Sequence, residues 1–124
     1  MRRAIIGVPA VVIAVGSALG GVAAAHSFSA STASLIGYED GSFAGRVGST
    51  HSECVGRRRV RLEKHTDAGL KVVGRTRSDE DGHWTIHKPK AKGTYWVVVR
   101  RRIETTNEHD HTCRRGGSAT VTVE

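Results

Sequence analysis

Three groups of side chains in this 124-residue chain have the types and spacing for chemistry. In GRTRSDEDGHWTI, Asp79, Glu80 and Asp81 stand consecutively before Gly82, a run of oxygen donors inside a chain whose formal charge is +7. His51, His109 and His111 offer imidazoles, the last two separated by one residue in NEHDHTC. Arg57, Arg58, Arg59 and Arg61 crowd one segment, Arg100, Arg101 and Arg102 another, and Arg114 and Arg115 follow Cys113. The chemistries these sets suit are hard-cation coordination, transition-metal binding and anion recognition.

The acidic run fails as a calcium loop of the helix–loop–helix type. Such a loop needs oxygen ligands at alternate positions, glycine at the sixth and a bidentate glutamate at the twelfth. With Gly82 as sixth, the first position is Arg77 and the twelfth is Lys88, both cations. The stretch reads instead as a turn, with Asp81-Gly82 supplying positive φ and Asp79 accepting hydrogen bonds from nearby amides.

His109 and His111 project to one side if their segment is extended. A bridge between Cys54 and Cys113 would hold those Cα atoms about 6 Å apart and draw His51 toward His111. Neutral imidazoles there suit Zn²⁺ or Cu²⁺, with Asp110 or Glu108 as an added oxygen ligand, and such binding weakens below about pH 6 as histidine protonates. A mature N-terminal His26 would add a further copper chelator. The alternative is a solvated loop whose histidines share no role. The arginines Arg57, Arg59, Arg61, Arg100 and Arg102 carry planar forks that suit phosphate, sulfate and carboxylate. Their expected partner is an anionic cell-envelope polymer or another extracellular polyanion. The alternative is that they protect strand edges and keep the protein soluble. No aromatic platform for bases is interleaved with them.

The elements that must position these residues begin after an export signal. Arg2 and Arg3 precede an apolar stretch from Ala4 to Ala25, and Ala23-Ala24-Ala25 gives a peptidase its small residues. Residues 1–25 are therefore expected to be a cleaved signal peptide. An uncleaved anchor is the alternative, weakened by Pro9, Ser17 and Gly20-Gly21 and by the lack of a basic cluster after Ala25. After cleavage no stable membrane span is expected, and the protein is secreted or extracytoplasmic. Removing Arg2 and Arg3 leaves 17 of 19 basic side chains against 12 acidic ones, about +5. At roughly 100 residues the mature chain is one domain, small enough for a covalent staple to matter. Cys54 and Cys113 permit one internal pairing, which an oxidising compartment preserves; closing a loop of about 60 residues is worth on the order of 4 kcal/mol.

Residues 26–41, rich in Ser, Ala and Thr near their start, read as a flexible leader. Residues 42–124 alternate apolar and polar side chains in short segments broken by glycine or charge, the pattern of an all-β protein and of a β-sandwich. Phe43 and Val47, Val60 and Leu62, Trp84 and Ile86, and Tyr95, Val97 and Val99 form inward sets, and Ala119, Val121 and Val123 close the series. A less regular strand is expected around Leu70 to Thr76.

The order T-x-x-D-x-x-G-x-W from Thr76 to Trp84, then KGTYWVVV and the final SATVTV, resembles the carboxypeptidase regulatory-like domains. These are similar to transthyretin in being single Greek-key sandwiches of about seven strands. With F-x-G-x-V, Cys54, the arginine-rich V-x-L segment and Cys113, the pattern from Phe43 to Val123 is also similar to small exported bacterial β-sandwich proteins of unassigned function. The resemblance implies a module that accompanies catalysis elsewhere and performs none itself. The residues agree in having no nucleophile elbow, no H-E-x-x-H pair and no phosphate-binding glycine loop. The sequence thus reads as a secreted noncatalytic β-sandwich, an envelope-binding, polyanion-binding or structural protein. The competing reading is a secreted protein that binds copper or zinc through histidine.

Overall fold

Most of the described residues form strands. The computed structural model describes residues 27–105 and 110–124. The expected signal peptide, His26, Glu108 and His109 lie outside the described residues. Among those described there are twelve strands and no α-helix. The strands are β1 Phe28–Ala30, β2 Thr32–Ser34, β3 Gly37–Glu39, β4 Ser42–Ser49, β5 Arg59–Thr66 and β6 Gly69–Arg77, followed by β7 His83–His87, β8 Gly93–Val99, β9 Arg102–Thr105, β10 Asp110–Cys113, β11 Gly116–Gly117 and β12 Val121–Val123. A 3-10 turn, Ser52–Cys54, interrupts the series. No helix of the described residues is long and apolar enough to cross a membrane.

The protein is all-β, with mixed but mainly antiparallel pairing. Nine strands form one sheet in the order β3-β4-β2-β11-β8-β5-β6, with β12 also pairing β8 and β7 also pairing β4. The parallel contact is short, Gly117 against Ala33. The expected inward residues meet in one core: Phe43 and Val47 from β4, Trp84 and Ile86 from β7, Val60 and Leu62 from β5, and Tyr95, Val97 and Val99 from β8. Polar atoms inside it are satisfied, as burial demands. The Trp84 indole donates to Ser34 Oγ at 2.9 Å, and the Tyr95 hydroxyl donates to the Lys92 carbonyl at 2.8 Å.

Three expectations need correction. The segment read as a leader is largely sheet: Thr32, Ala33 and Ser34 pair with Ser49, Gly48 and Val47, and Gly37, Tyr38 and Glu39 pair with Ala44, Phe43 and Ser42. The β3–β4 hairpin closes through Asp40 and Gly41, both at positive φ (51° and 77°), the conformation that two-residue hairpin turns require. Its anchor is Tyr38, whose ring lies 4.6 Å from that of Phe43 and whose hydroxyl donates to the Lys88 carbonyl at 2.7 Å. Secondly, more strands than about seven are present, because β1, β2, β3, β9, β10 and β11 hold only two to four residues each, too few to show alternation. Thirdly, Ala119 is exposed outside the last strand, while Val121 and Val123 pack on the core.

Two compact units are distinguished. The larger comprises Ala30–Arg102 and Cys113–Glu124 and contains the core. Within it Cys54 and Cys113 form the expected disulfide, with a Cα–Cα distance of 5.4 Å and both residues buried. The described part of the smaller unit comes from β1, β9 and β10, which hydrogen-bond in the order β9-β10-β1. There His111 stacks on Phe28 with ring centroids 4.5 Å apart, and the Asp110 amide donates to Ser27 Oγ at 3.2 Å.

Candidate anion-binding site

The pleat decides which arginines can act together. On β5 the inward residues Val60 and Leu62 alternate with Arg59 and Arg61, so both arginines face away from the core. Antiparallel register sets Arg59 directly opposite Arg77 and Arg61 opposite Arg75 on β6. On the other side of β5, Arg100 follows β8, its amide donating to the Arg59 carbonyl at 2.9 Å. Arg59, Arg61, Arg75, Arg77 and Arg100 thereby line one open groove of about 370 Å³, whose remaining walls are Val60 and Thr76.

Among the described residues one acid meets this face. Glu63, 5% exposed, accepts from Arg61 Nε at 2.9 Å and from the Trp96 indole at 2.8 Å. Those bonds fix Arg61 and leave Glu63 committed. Arg59, Arg75, Arg77 and Arg100 have no carboxylate partner among the described residues. Like charges directly opposite across a strand pair are unfavourable, and here two such pairs are consecutive. A polyvalent anion would relieve that repulsion through charge-assisted, bidentate hydrogen bonds.

The expected anion set is thus divided. Arg59, Arg61 and Arg100 gather, joined by Arg75 and Arg77, which sequence reasoning missed. Arg57 instead forms an ion pair with Glu80 at 2.7 Å beside the β6–β7 turn. Arg102 donates to the carbonyls of Glu53 at 2.7 Å and Gly56 at 3.0 Å, tying down the loop before β5. Arg58 is fully buried: its guanidinium donates to the Cys54, Arg100 and Arg114 carbonyls at 2.6, 2.9 and 3.0 Å and to Thr32 Oγ1 at 3.0 Å. Burial, and secondly the charge of Arg102, lowers its pKa to about 10, leaving it protonated at neutral pH.

The acidic run forms a turn. Asp79 Oδ1 accepts from the amides of Asp81 at 2.8 Å and His83 at 2.9 Å, and the Asp79 carbonyl accepts from Gly82 at 3.1 Å. Positive φ is needed at Gly82 alone (90°), not at Asp81, and a side chain on Gly82 would meet the Val47 carbonyl oxygen at 2.6 Å. Those amide bonds, led by the one from His83, hold the Asp79 carboxyl below its ordinary pKa against a smaller opposing effect of desolvation. Asp79, Asp81 and His83 bring one ligand atom each within 4.8 Å of one another, all on exposed side chains. The turn's own hydrogen bonds already use Asp79 Oδ1.

Of the proposed metal ligands, His111 stacks on Phe28 in the smaller unit. His51, in the larger unit, precedes the 3-10 turn, and its carbonyl accepts from the Cys54 amide at 2.9 Å. His109 is outside the described residues.

No family model and no curated protein matches the chain. Among solved structures it is similar to a pectate lyase from Pectobacterium carotovorum, with 14% identity over 76% of this chain and a TM-score of 0.35. The chain spans 28% of that enzyme's length. At that score the likeness carries no argument about fold or activity.

Proposed function

We propose that this chain is a secreted, noncatalytic β-sandwich module that holds an anionic polymer of the cell envelope or its surroundings against the outer face of β5, β6 and the end of β8. The observation that carries this reading is the pair of consecutive in-register contacts, Arg59 with Arg77 and Arg61 with Arg75, flanked by Arg100. Edge protection accounts for arginine on β6, which ends the hydrogen-bonded order of the sheet, but not for Arg59 and Arg61 on β5, which has partners on both sides. The disulfide is consistent with an oxidising, extracytoplasmic location.

The test is retention on an immobilised polyphosphate as salt is raised. Polyanion binding that neutralises several phosphates weakens steeply with ionic strength, and each lost contact lowers the slope of log K against log salt by about one. Arg59→Ser, Arg75→Ser and Arg77→Ser should each reduce retention and flatten that slope, whereas Arg57→Ser should change neither. Equal losses from Arg57→Ser and Arg59→Ser would point to net charge alone and defeat the proposed face.

A further inference from the structure

A second basic feature lies on the core side of the sheet and shares no residue with the arginine groove. Lys64 continues the inward parity of Val60 and Leu62 on β5, and register places it opposite Lys71 on β6 and beside Tyr95 on β8. With Lys88 and Lys90 from the β7–β8 loop, these lysines rim a cavity of about 570 Å³. Its apolar lining is Val73, Pro89, Ala91 and Tyr95, of which Val73 and Ala91 pack directly on the core. Thr66 and His87 complete the wall, so among the described residues no carboxylate lines the cavity.

Two physical facts make this more than a solvated rim. Lys64 is partly buried, and its Nζ stands 5.8 Å from the centroid of the Tyr95 ring, a cation held over an aromatic face. Lys64 and Lys71 oppose each other as like charges on the inward face, an unfavourable pair without an anion between them. The volume falls within the roughly 300–1,000 Å³ of small-molecule sites, and the mixture of apolar floor and a few convergent charges matches their chemistry.

We propose that this cavity binds a small anionic amphiphile: a hydrocarbon chain or ring that lies on Val73, Ala91 and Tyr95 and ends in a carboxylate or phosphate held by Lys64 and Lys71. The lysines select the headgroup, and the core-packed floor selects the apolar body. Lys88 and Lys90 supply the outer field.

The experiment is calorimetric titration of the oxidised protein with decanoate below its micelle concentration, with decyl phosphate and decan-1-ol in parallel. Decanoate or decyl phosphate should bind at least about tenfold more tightly than the alcohol, the worth of one or two charge-assisted hydrogen bonds. The ratio of the two anions identifies the headgroup. Lys64→Met with Lys71→Met, which keeps the aliphatic stems and removes the charges, should weaken the anion by about tenfold or more and leave the alcohol unaffected. Ala91→Phe, which fills the floor, should weaken all three ligands, and Arg59→Ser with Arg77→Ser should weaken none. The proposal is overturned if the alcohol binds as tightly as the anions, or if the lysine double variant binds decanoate unchanged. It is also overturned if phosphatidylglycerol vesicles retain the protein while neither monomeric anion gives heat.

Discussion

A single buried cation organises the loops around the disulfide. The Arg58 guanidinium gathers acceptors from β2, the 3-10 turn, the end of β8 and the residue after Cys113, with no carboxylate of the described residues among them. Arg58→Met should therefore destabilise the protein by about 3 kcal/mol or more, because it orphans several buried acceptors at once. Arg58→Lys should recover part of that loss, since an ammonium supplies three donors but not the planar fork. Thermal melts of both variants check the order; equal stability of Arg58→Met and the parent would remove the staple. Since the folded pKa of about 10 lies below the ordinary arginine value, both states carry the proton below pH 10. Arg58 thus contributes no pH dependence around neutrality, and the penalty on its buried charge is relieved only as pH rises above about 10. Asp79 behaves oppositely. Its carboxyl is held below the ordinary value of 3.8 by amide hydrogen bonds, so its contribution is present above that value and is lost as pH falls through the lower folded one. Asp79→Ala should melt below the parent at pH 7, with a gap that persists to about pH 5 and closes toward pH 2. A gap that stays constant through that range would show that the carboxylate charge is not what the amides recognise.

At the scale of elements, what the sequence disclosed depended on whether a strand's own residues or its pairing carried the information. β4, β5, β7 and β8 were legible because each carries an alternating apolar set, and all nine expected inward residues from Phe43 to Val99 are in the core. Arg75 and Arg77 were not recognised as companions of Arg59 and Arg61 because that fact belongs to register. A shift at Leu62/Glu63 breaks the one-to-one pairing of β5 with β6, so the pattern of β6 alone does not reveal its outward side. β2 was hidden for another reason: its Thr-Ala-Ser composition is that of a leader, yet backbone hydrogen bonds to β4 and the buried Ser34 hydroxyl make it a strand. The Asp40-Gly41 pair was a readable signal for the β3–β4 hairpin. Arg58 sat within a basic run and could not be told from its neighbours until the loops closed over it. Because Arg75 and Arg77 oppose cations and have no carboxylate partner among the described residues, Arg75→Ser with Arg77→Ser should leave the ligand-free protein as stable as the parent, or more stable by about 0.2–1 kcal/mol per relieved pair. Denaturant midpoints measured at low salt would show this. A loss of stability would mean that the arginine stems pack on the sheet and that their repulsion is not the dominant effect.

For the whole molecule, size makes the disulfide consequential. A small domain has a stability of only about 5–15 kcal/mol, and a bridge closing 59 residues is worth about 4 kcal/mol in the loop-entropy account. Reduction alone should accordingly lower the melting temperature by tens of degrees at most and by several degrees at least. The bridge and Arg58 are also expected to act as one device rather than two. The Cys54 carbonyl accepts the shortest bond from the guanidinium, and the Arg114 carbonyl, one residue beyond Cys113, accepts another. The covalent link holds both carbonyls where Arg58 can reach them, and Arg58 in turn neutralises the cost of burying them. Removing either partner should leave the other with less to stabilise. A double-mutant cycle combining Arg58→Met with Cys54→Ser and Cys113→Ser should show non-additivity of about 1 kcal/mol or more, the combined loss falling short of the sum. Additive losses within about 0.3–0.5 kcal/mol would mean that the loops hold their positions without the bridge, and that the disulfide acts only on the unfolded chain.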